Sequence, residues 1–189
     1  MLVLQLRGGV FPVHGVQGRN LFPASFMLGA SMNPCPCGNY NNPAKDCTCL
    51  PGQISAYLGR LSGPLLDRID IQVEIVPVPF EALSSREPGE SSAVIRERVL
   101  QARAIQAARY REIPGIYTNA QMTPALMKEY IHIDSAGREL LRCAMDHYGL
   151  SARAYDRILK VSRTIADLEG SPEVLTHHIG EAVNYRKLD

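Results

Sequence analysis

Four cysteines fall on one short stretch, Cys35-Pro36-Cys37-Gly38 and, nine residues later, Cys47-Thr48-Cys49. They force residues 33–52 to fold back on themselves. In a reducing compartment such a cluster points to a metal before it points to disulfides. Four thiolates match the ligand set of a structural zinc site, although one residue between paired cysteines is tighter than the usual two to four. Pro36 and Gly38 set the turn, and Asn39, Asn42 and Pro43 allow the loop to return so that the pairs meet. Zinc held by Cys35, Cys37, Cys47 and Cys49 is the favoured reading; two disulfides or four free thiols are the alternatives. A site closed by four protein ligands is structural, not catalytic.

The pattern around this loop predicts two kinds of structure. Phe26 to Met32 is a continuous apolar run that suits a strand buried on both faces. Ile69, Ile71, Val73 and Ile75 alternate with Asp70, Gln72 and Glu74, the period of a half-buried strand. A short helix is expected over Gln53–Arg60 and one further turn over Leu65–Arg68. Residues 1–21 are broken by Gly8, Gly9, Gly15 and Gly18 and form an unmatched tail, with at most a short strand around Gly9–Val13. Residues 22–80 then form a piece of an α/β core, and residues 81–92 a linker in a Pro- and Ser-rich stretch.

Residues 93–189 read as a helical bundle. Ser92 can cap a helix to about Arg111, with Ile95, Val99, Ala102 and Ile105 as its apolar stripe. Thr123-Pro124 opens a short helix. Asp134 can cap a helix that Gly149 ends, with Cys143 as a core residue. Ser151 can cap the next, with Ile158, Val161, Ile165 and Leu168 facing inward. Ser171-Pro172 opens a last helix to about Tyr185. The adjacent His177 and His178 point different ways on a helix, which makes them poor joint ligands. His14, His132 and His147 have no evident partner.

Charge excludes little. The formal net charge is +1, but Arg outnumbers Lys 16 to 4, and Arg suits phosphate. No apolar run approaches the roughly 18 residues that cross a bilayer, and no cleavable leader is recognisable, so the chain is expected to be cytoplasmic, with no membrane partner.

Three further features have a bland and a sharp reading. Leu65-Leu66-Asp67-Arg68-Ile69-Asp70 is a capped turn with a surface Arg–Asp pair, or else Arg68 is an arginine finger that reaches the γ-phosphate held by a neighbouring subunit. Asn33 is a turn former before Pro34, or a sensor that orients the attacking water at the edge of a sheet. Arg153, Arg157 and Lys160 form a solvated basic face, or Arg153 faces nucleotide phosphates across a domain junction.

Taken together, Ala30-Ser31-Met32-Asn33-Pro34-Cys35-Pro36-Cys37-Gly38, Ser62-Gly63-Pro64-Leu65-Leu66-Asp67-Arg68-Ile69-Asp70, Gly89-Glu90-Ser91-Ser92, Gly115-Ile116-Tyr117-Thr118-Asn119-Ala120 and Leu150-Ser151-Ala152-Arg153-Ala154-Tyr155-Asp156-Arg157-Ile158-Leu159-Lys160 resemble the second half of the AAA+ module in the ComM and magnesium-chelatase-like family. The resemblance runs from about Phe22 to Asp189. It implies an α/β remnant of an AAA+ core, made of edge strands and the cysteine loop, followed by an all-α lid bundle. It implies that Asn33 is sensor 1, Arg68 the arginine finger and Arg153 sensor 2, with Arg157 the second choice for that role. It also implies a hexameric homo-oligomer in the full-length form that drives DNA branch migration in natural transformation.

One departure bears on activity. No G-x-x-x-x-G-K-[ST] loop, whose amides and Lys would cradle phosphates, occurs in the sequence. A truncated or frameshifted product is expected, inactive alone, with ATP and Mg bound only when the missing N-terminal half is supplied. Two other functions compete. One is the ATPase subunit of a magnesium chelatase, against which the cysteine loop argues. The other is a non-enzymatic zinc-bearing module that binds DNA or protein.

Overall fold

A computed structural model of the chain describes residues 10–15, 18–23, 27–75, 77, 78, 84 and 89–186. The chain divides into two compact units, Met1–Leu66 and Asp67–Asp189.

In the first unit, β1 (Val10–Gly15) and β2 (Gly18–Pro23) form an antiparallel hairpin, with Val10 opposite Pro23 and Gly15 opposite Gly18. This two-stranded pairing extends well past the short strand expected at Gly9–Val13. Helix α1 (Pro51–Leu58) begins where Pro51 supplies a preset φ at the first helical position, and the Leu50 amide donates to Gln53 Oε1 at 3.0 Å. Helix α2 (Gly63–Leu66) is a single turn.

The two strands expected from the apolar patterns do not form. Residues 27–33 and 69–75 lie in no ladder, and the observed sheet is the β1–β2 hairpin. Alternation makes a segment fit to pair, but a strand exists only when a neighbour takes its backbone hydrogen bonds. Among the described residues, the Gln72 amide finds one such partner, the Tyr185 carbonyl at 2.8 Å. The edge strands of the expected α/β remnant are therefore corrected to segments outside any ladder, and the described structure is mostly helical.

The second unit is built from local signals that the sequence states clearly. Helix α3 (Ser92–Arg109) starts at Ser91, whose Oγ accepts from the Val94 amide at 3.4 Å. A 3-10 turn covers Asn119–Gln121. Helix α4 (Pro124–Tyr130) is capped by Thr123, α5 (Ser135–Tyr148) by Asp134 and α6 (Ala152–Glu169) by Ser151. Each cap side chain accepts the amide three residues on, which satisfies an otherwise orphaned donor. Gly149 and Gly170 end α5 and α6 in the left-handed region, at φ 60° and 75°. Helix α7 (Thr176–Asn184) starts five residues after Ser171-Pro172. There His178 Nδ1 accepts from the Leu175 amide at 2.9 Å and takes the place of a capping side chain.

Helix α6 is the hub. It packs on α7, α3, α4 and the 3-10 turn, while α5 packs on α7. Leu141, Ile158 and Ile179 are fully buried at its centre. Of the expected stripe on α6, Ile158 is in the core and Val161 and Ile165 pack against it. Ala154, Ile158, Leu159, Ser162, Arg163, Ala166 and Asp167 are buried, whereas Leu168 is 42% exposed. The inward face is wider than the apolar stripe because polar residues occupy part of it. On α3, only Ala102 and Gln106 are buried, and Ile95 and Val99 are exposed. Cys143, expected in the core, is exposed on α5 and donates to Glu139.

A polar network fills that part of the core. Asp167, 1% exposed, accepts from Arg109 Nη2 at 2.5 Å and Arg163 Nε at 3.1 Å on one oxygen. Its other oxygen accepts from Arg109 Nη1 and Asn119 Nδ2, both at 2.8 Å. Asn119 Oδ1 accepts from the Tyr110 hydroxyl at 2.7 Å. Arg163 also donates to the Pro172 and Ser171 carbonyls at 2.8 and 2.6 Å. One carboxylate thus joins α3, the 3-10 turn, α6 and the segment before α7.

Candidate functional site

The cysteine loop brings its four thiols together. The backbone turns at Gly38 and Asn41, with φ 80° and 60°, and the Gly38 amide donates to the Cys35 carbonyl at 3.0 Å. Asn42 Oδ1 accepts from the Ala44 amide at 2.9 Å, holding the return. Cys35 Sγ lies 3.4 Å from Cys37 and 3.6 Å from Cys47, and Cys37 lies 3.6 Å from Cys47. All four sulfurs, Cys49 included, lie within 4.8 Å of one another. Ligands at the corners of a tetrahedron about 2.3 Å from a zinc ion stand about 3.8 Å apart, whereas a disulfide needs about 2.05 Å. The spacing therefore fits a shared cation and not a bonded pair.

The thiols are not equivalent. Amides of Asn39 and Thr48 donate to Cys37 and hold its thiol down at about 5. Cys47 accepts from the Cys49 amide, yet burial and the sulfurs of Cys37 and Cys35 push it up to about 12. Packing four thiols this closely leaves no room for four negative charges without a cation between them. Asn33 is exposed and lies beside the loop, with its Cγ and Nδ2 3.9 Å from where a side chain on Gly38 would begin.

In the helical unit, the turn Asp67–Asp70 carries Arg68, which is half-buried. The turn is held by its backbone. Arg157 Nη1 donates to the Arg68 carbonyl at 2.6 Å and to the Asp70 carboxylate. Arg186 Nη1 donates to the Ile69 carbonyl, and its Nη2 pairs with Asp67 at 3.7 Å. Ser151 Oγ donates to Asp67 Oδ2 at 2.9 Å. Ile71 and Val73 line a cavity of about 400 Å³ with Val161, Thr164, Ile165 and Tyr185. Of the two arginines expected at the nucleotide, Arg153 is exposed in the first turn of α6, while Arg157 is 4% exposed.

A second group of ligand types was not expected to converge. His177 and His178 both reach Glu169 Oε2, at 2.9 and 2.5 Å, with ring centroids 4.0 Å apart. The reasoning that adjacent histidines diverge fails here because Glu169 ends α6 and meets the first turn of α7 from outside. The hydrogen bonds still disfavour a metal. A backbone amide can only donate, so His178 Nδ1 accepts from Leu175 and the ring proton sits on Nε2. That nitrogen donates to Glu169 and has no lone pair for a cation.

Comparison with known proteins covers nearly the whole chain. The family described as "Magnesium chelatase, subunit ChlI" matches residues 6–83, and "Magnesium chelatase, subunit ChlI C-terminal" matches residues 89–186. The first match takes in residues 6–21, which the sequence alone left unplaced. YifB of Escherichia coli K12 is 38% identical over 186 residues, and competence protein ComM of Haemophilus influenzae is 39% identical over 184. Each alignment covers 97% of this chain and 35% of the relative. An uncharacterized protein of Mycobacterium tuberculosis H37Rv is 38% identical over 168 residues, 88% of this chain and 32% of that protein. The chain thus spans about a third of the length of the relatives it matches. Among the described residues, no helix is long and apolar enough to cross a membrane. The two adjoining family matches and the identity to YifB and ComM place the chain in the ComM/YifB-type, magnesium-chelatase-like family.

Proposed function

We propose that this chain is the sensor and lid portion of a hexameric AAA+ ATPase that drives DNA branch migration, and that it is inactive by itself. The observation that best supports this is the Arg68 turn, held by backbone hydrogen bonds against a helical lid. An arginine finger needs such support, because it acts only when presented to the γ-phosphate at a fixed distance from another subunit. In this reading Arg68 stabilises charge at a neighbour's phosphate, Asn33 orients the attacking water, and Arg153 contacts phosphate at the lid junction. Arg157, buried on the same face, positions and does not touch nucleotide. ATP and Mg would be held by a phosphate-binding loop that this sequence lacks. The name of the Haemophilus relative, a competence protein, supports DNA as the partner.

Cys35, Cys37, Cys47 and Cys49 would hold a structural zinc. Four thiolates close its coordination, so the ion would supply folding energy to the loop and no chemistry to ATP.

The test mixes the 189-residue chain with a full-length relative in which the residue aligned with Arg68 is alanine. ATP turnover is measured with branched DNA present. The chain alone should be silent, the mixture should regain turnover, and Arg68→Ala in the chain should abolish the gain. Turnover by the chain alone, on the order of 1 s⁻¹ or faster, would overturn the proposal. The family descriptions name a magnesium chelatase subunit, which supports a second reading; stimulation by porphyrin and partner subunits in place of branched DNA would establish it. Failure of every mixture to regain turnover would favour a zinc-bearing binding module.

A further inference from the structure

We infer that α6 is a relay: through Arg157 it ties the arginine-bearing turn to the lid, so that movement of the lid redirects Arg68. This rests on the reading of Arg68 as a finger, but the tie itself is visible without it. Three successive features of the segment are held by the helical unit: the Arg68 carbonyl by Arg157, the Ile69 carbonyl by Arg186 and the Gln72 amide by the Tyr185 carbonyl. Asp67 and Asp70 add side-chain anchors to Ser151, Arg186 and Arg157. These bonds grip the backbone at residue 68 and after it, and the Asp67 side chain anchors the chain just before it. They come from the two ends of the lid, the start of α6 and the end of α7.

Arg153 and Arg157 stand four residues apart, on one face of α6. The first is exposed and the second is 4% exposed with its guanidinium on the turn. A ligand that pulls on Arg153 therefore pulls the same rigid helix that carries Arg157. Nucleotide bound at one subunit's lid junction would set the finger offered to the next subunit. Coupling of this kind requires an element whose position both sites bias, and α6 touches both. Arg157 is thus a positioning residue.

The first experiment reads hydrogen exchange over residues 67–73 in the 189-residue chain. Arg157→Gln should raise exchange at Gln72 and its neighbours about tenfold or more, while α5 and α7 stay protected. Asp70→Asn, at an exposed carboxylate, should do the same to a lesser degree without risk to the core. Arg157→Lys should restore part of the protection. The second experiment repeats the mixed ATPase assay. Arg157→Gln and Asp70→Asn should lower turnover without changing the ATP concentration at half-maximum, because the finger serves a neighbour's site. Unchanged exchange at 67–73 in both Arg157→Gln and Asp70→Asn would overturn the tie. Loosened exchange with full turnover in both would overturn the relay. Loosened exchange together with full turnover in Arg68→Ala would instead remove the finger assignment and leave the tie standing.

Discussion

Replacing Asp167 by asparagine keeps the size of a side chain that is 1% exposed and removes the one negative charge facing two guanidiniums. Arg163 is 2% exposed at its side chain and Arg109 12%. Neither can shed its charge at any ordinary pH. The amide can accept on one oxygen only, so its nitrogen must face either Arg109 and Arg163 or Arg109 and Asn119, donor against donor. Breaking a buried pair in this way costs about 3–5 kcal/mol. Against a total stability of roughly 5–15 kcal/mol, that is a large share. The corresponding drop in melting temperature is about 10–20 °C. Thermal and urea unfolding followed by helical circular dichroism measure the two quantities, with Arg98→Ala as the control, because the Arg98–Glu90 pair is exposed and should contribute little. The same network fixes a pH dependence. Burial would raise the Asp167 carboxyl, but hydrogen bonds from Arg109 and Asn119 and the charges of Arg109 and Arg163 hold it below the usual carboxylate range. Its stabilisation is therefore complete above the unfolded value of about 3.9 and is lost as pH falls through the lower folded value. Wild type should weaken on acidification below about pH 4, and Asp167→Asn should show a flatter curve there. A variant within about 1 kcal/mol of wild type at pH 7 would refute the reasoning, since no buried charge would then have been left alone.

Metal analysis of the purified chain should find about one zinc per molecule, and Cys37→Ser should lose most of it; full zinc content in Cys37→Ser would remove Cys37 from the ligand set. Gly137→Ala should destabilise the helical unit by about 1–3 kcal/mol, because the new Cβ would lie 2.7 Å from Ile179 Cδ1 and 3.0 Å from the capping Asp134 Oδ1. An unchanged urea midpoint would show that Ile179 yields freely.

The helix starts at Ser91, Thr123, Asp134 and Ser151 and the stops at Gly149 and Gly170 follow from requirements that span only a few residues. A donor needs an acceptor three positions away, and a left-handed residue needs no Cβ. That is why reading Ser92 as the cap missed by one residue and still found the helix. The cysteine loop was legible for the same reason: its turn residues and its ligands lie on one stretch of chain. The roles expected of Arg68, Asn33, Arg153 and Arg157 rest on the resemblance, and the difference in burial between the last two was not legible in the sequence. Arg157 is inaccessible because Arg68 and Asp70, nearly ninety residues earlier, come to meet it.

The rest was decided in three dimensions. Ile69–Ile75 has the alternation of a strand, yet strand pairing is a relation between segments, and among the described residues it joins no ladder; Arg157, Arg186 and the Tyr185 carbonyl take its polar groups instead. The inward face of α6 contains Arg163 and Asp167, which periodicity assigns to water; they are buried because Arg109 and Asn119, from elements 58 and 48 residues away in sequence, complete their hydrogen bonds. His177 and His178 converge because Glu169 closes on them from the preceding helix. Sequence alone determined where the helices capped by Thr123, Asp134 and Ser151 begin, where Gly149 stops one of them, and where a cation could sit, since short-range geometry governs all three. Tertiary structure determined which charges are interior and what grips the Arg68 turn, because a buried charge is tolerated only where distant residues arrive to satisfy it.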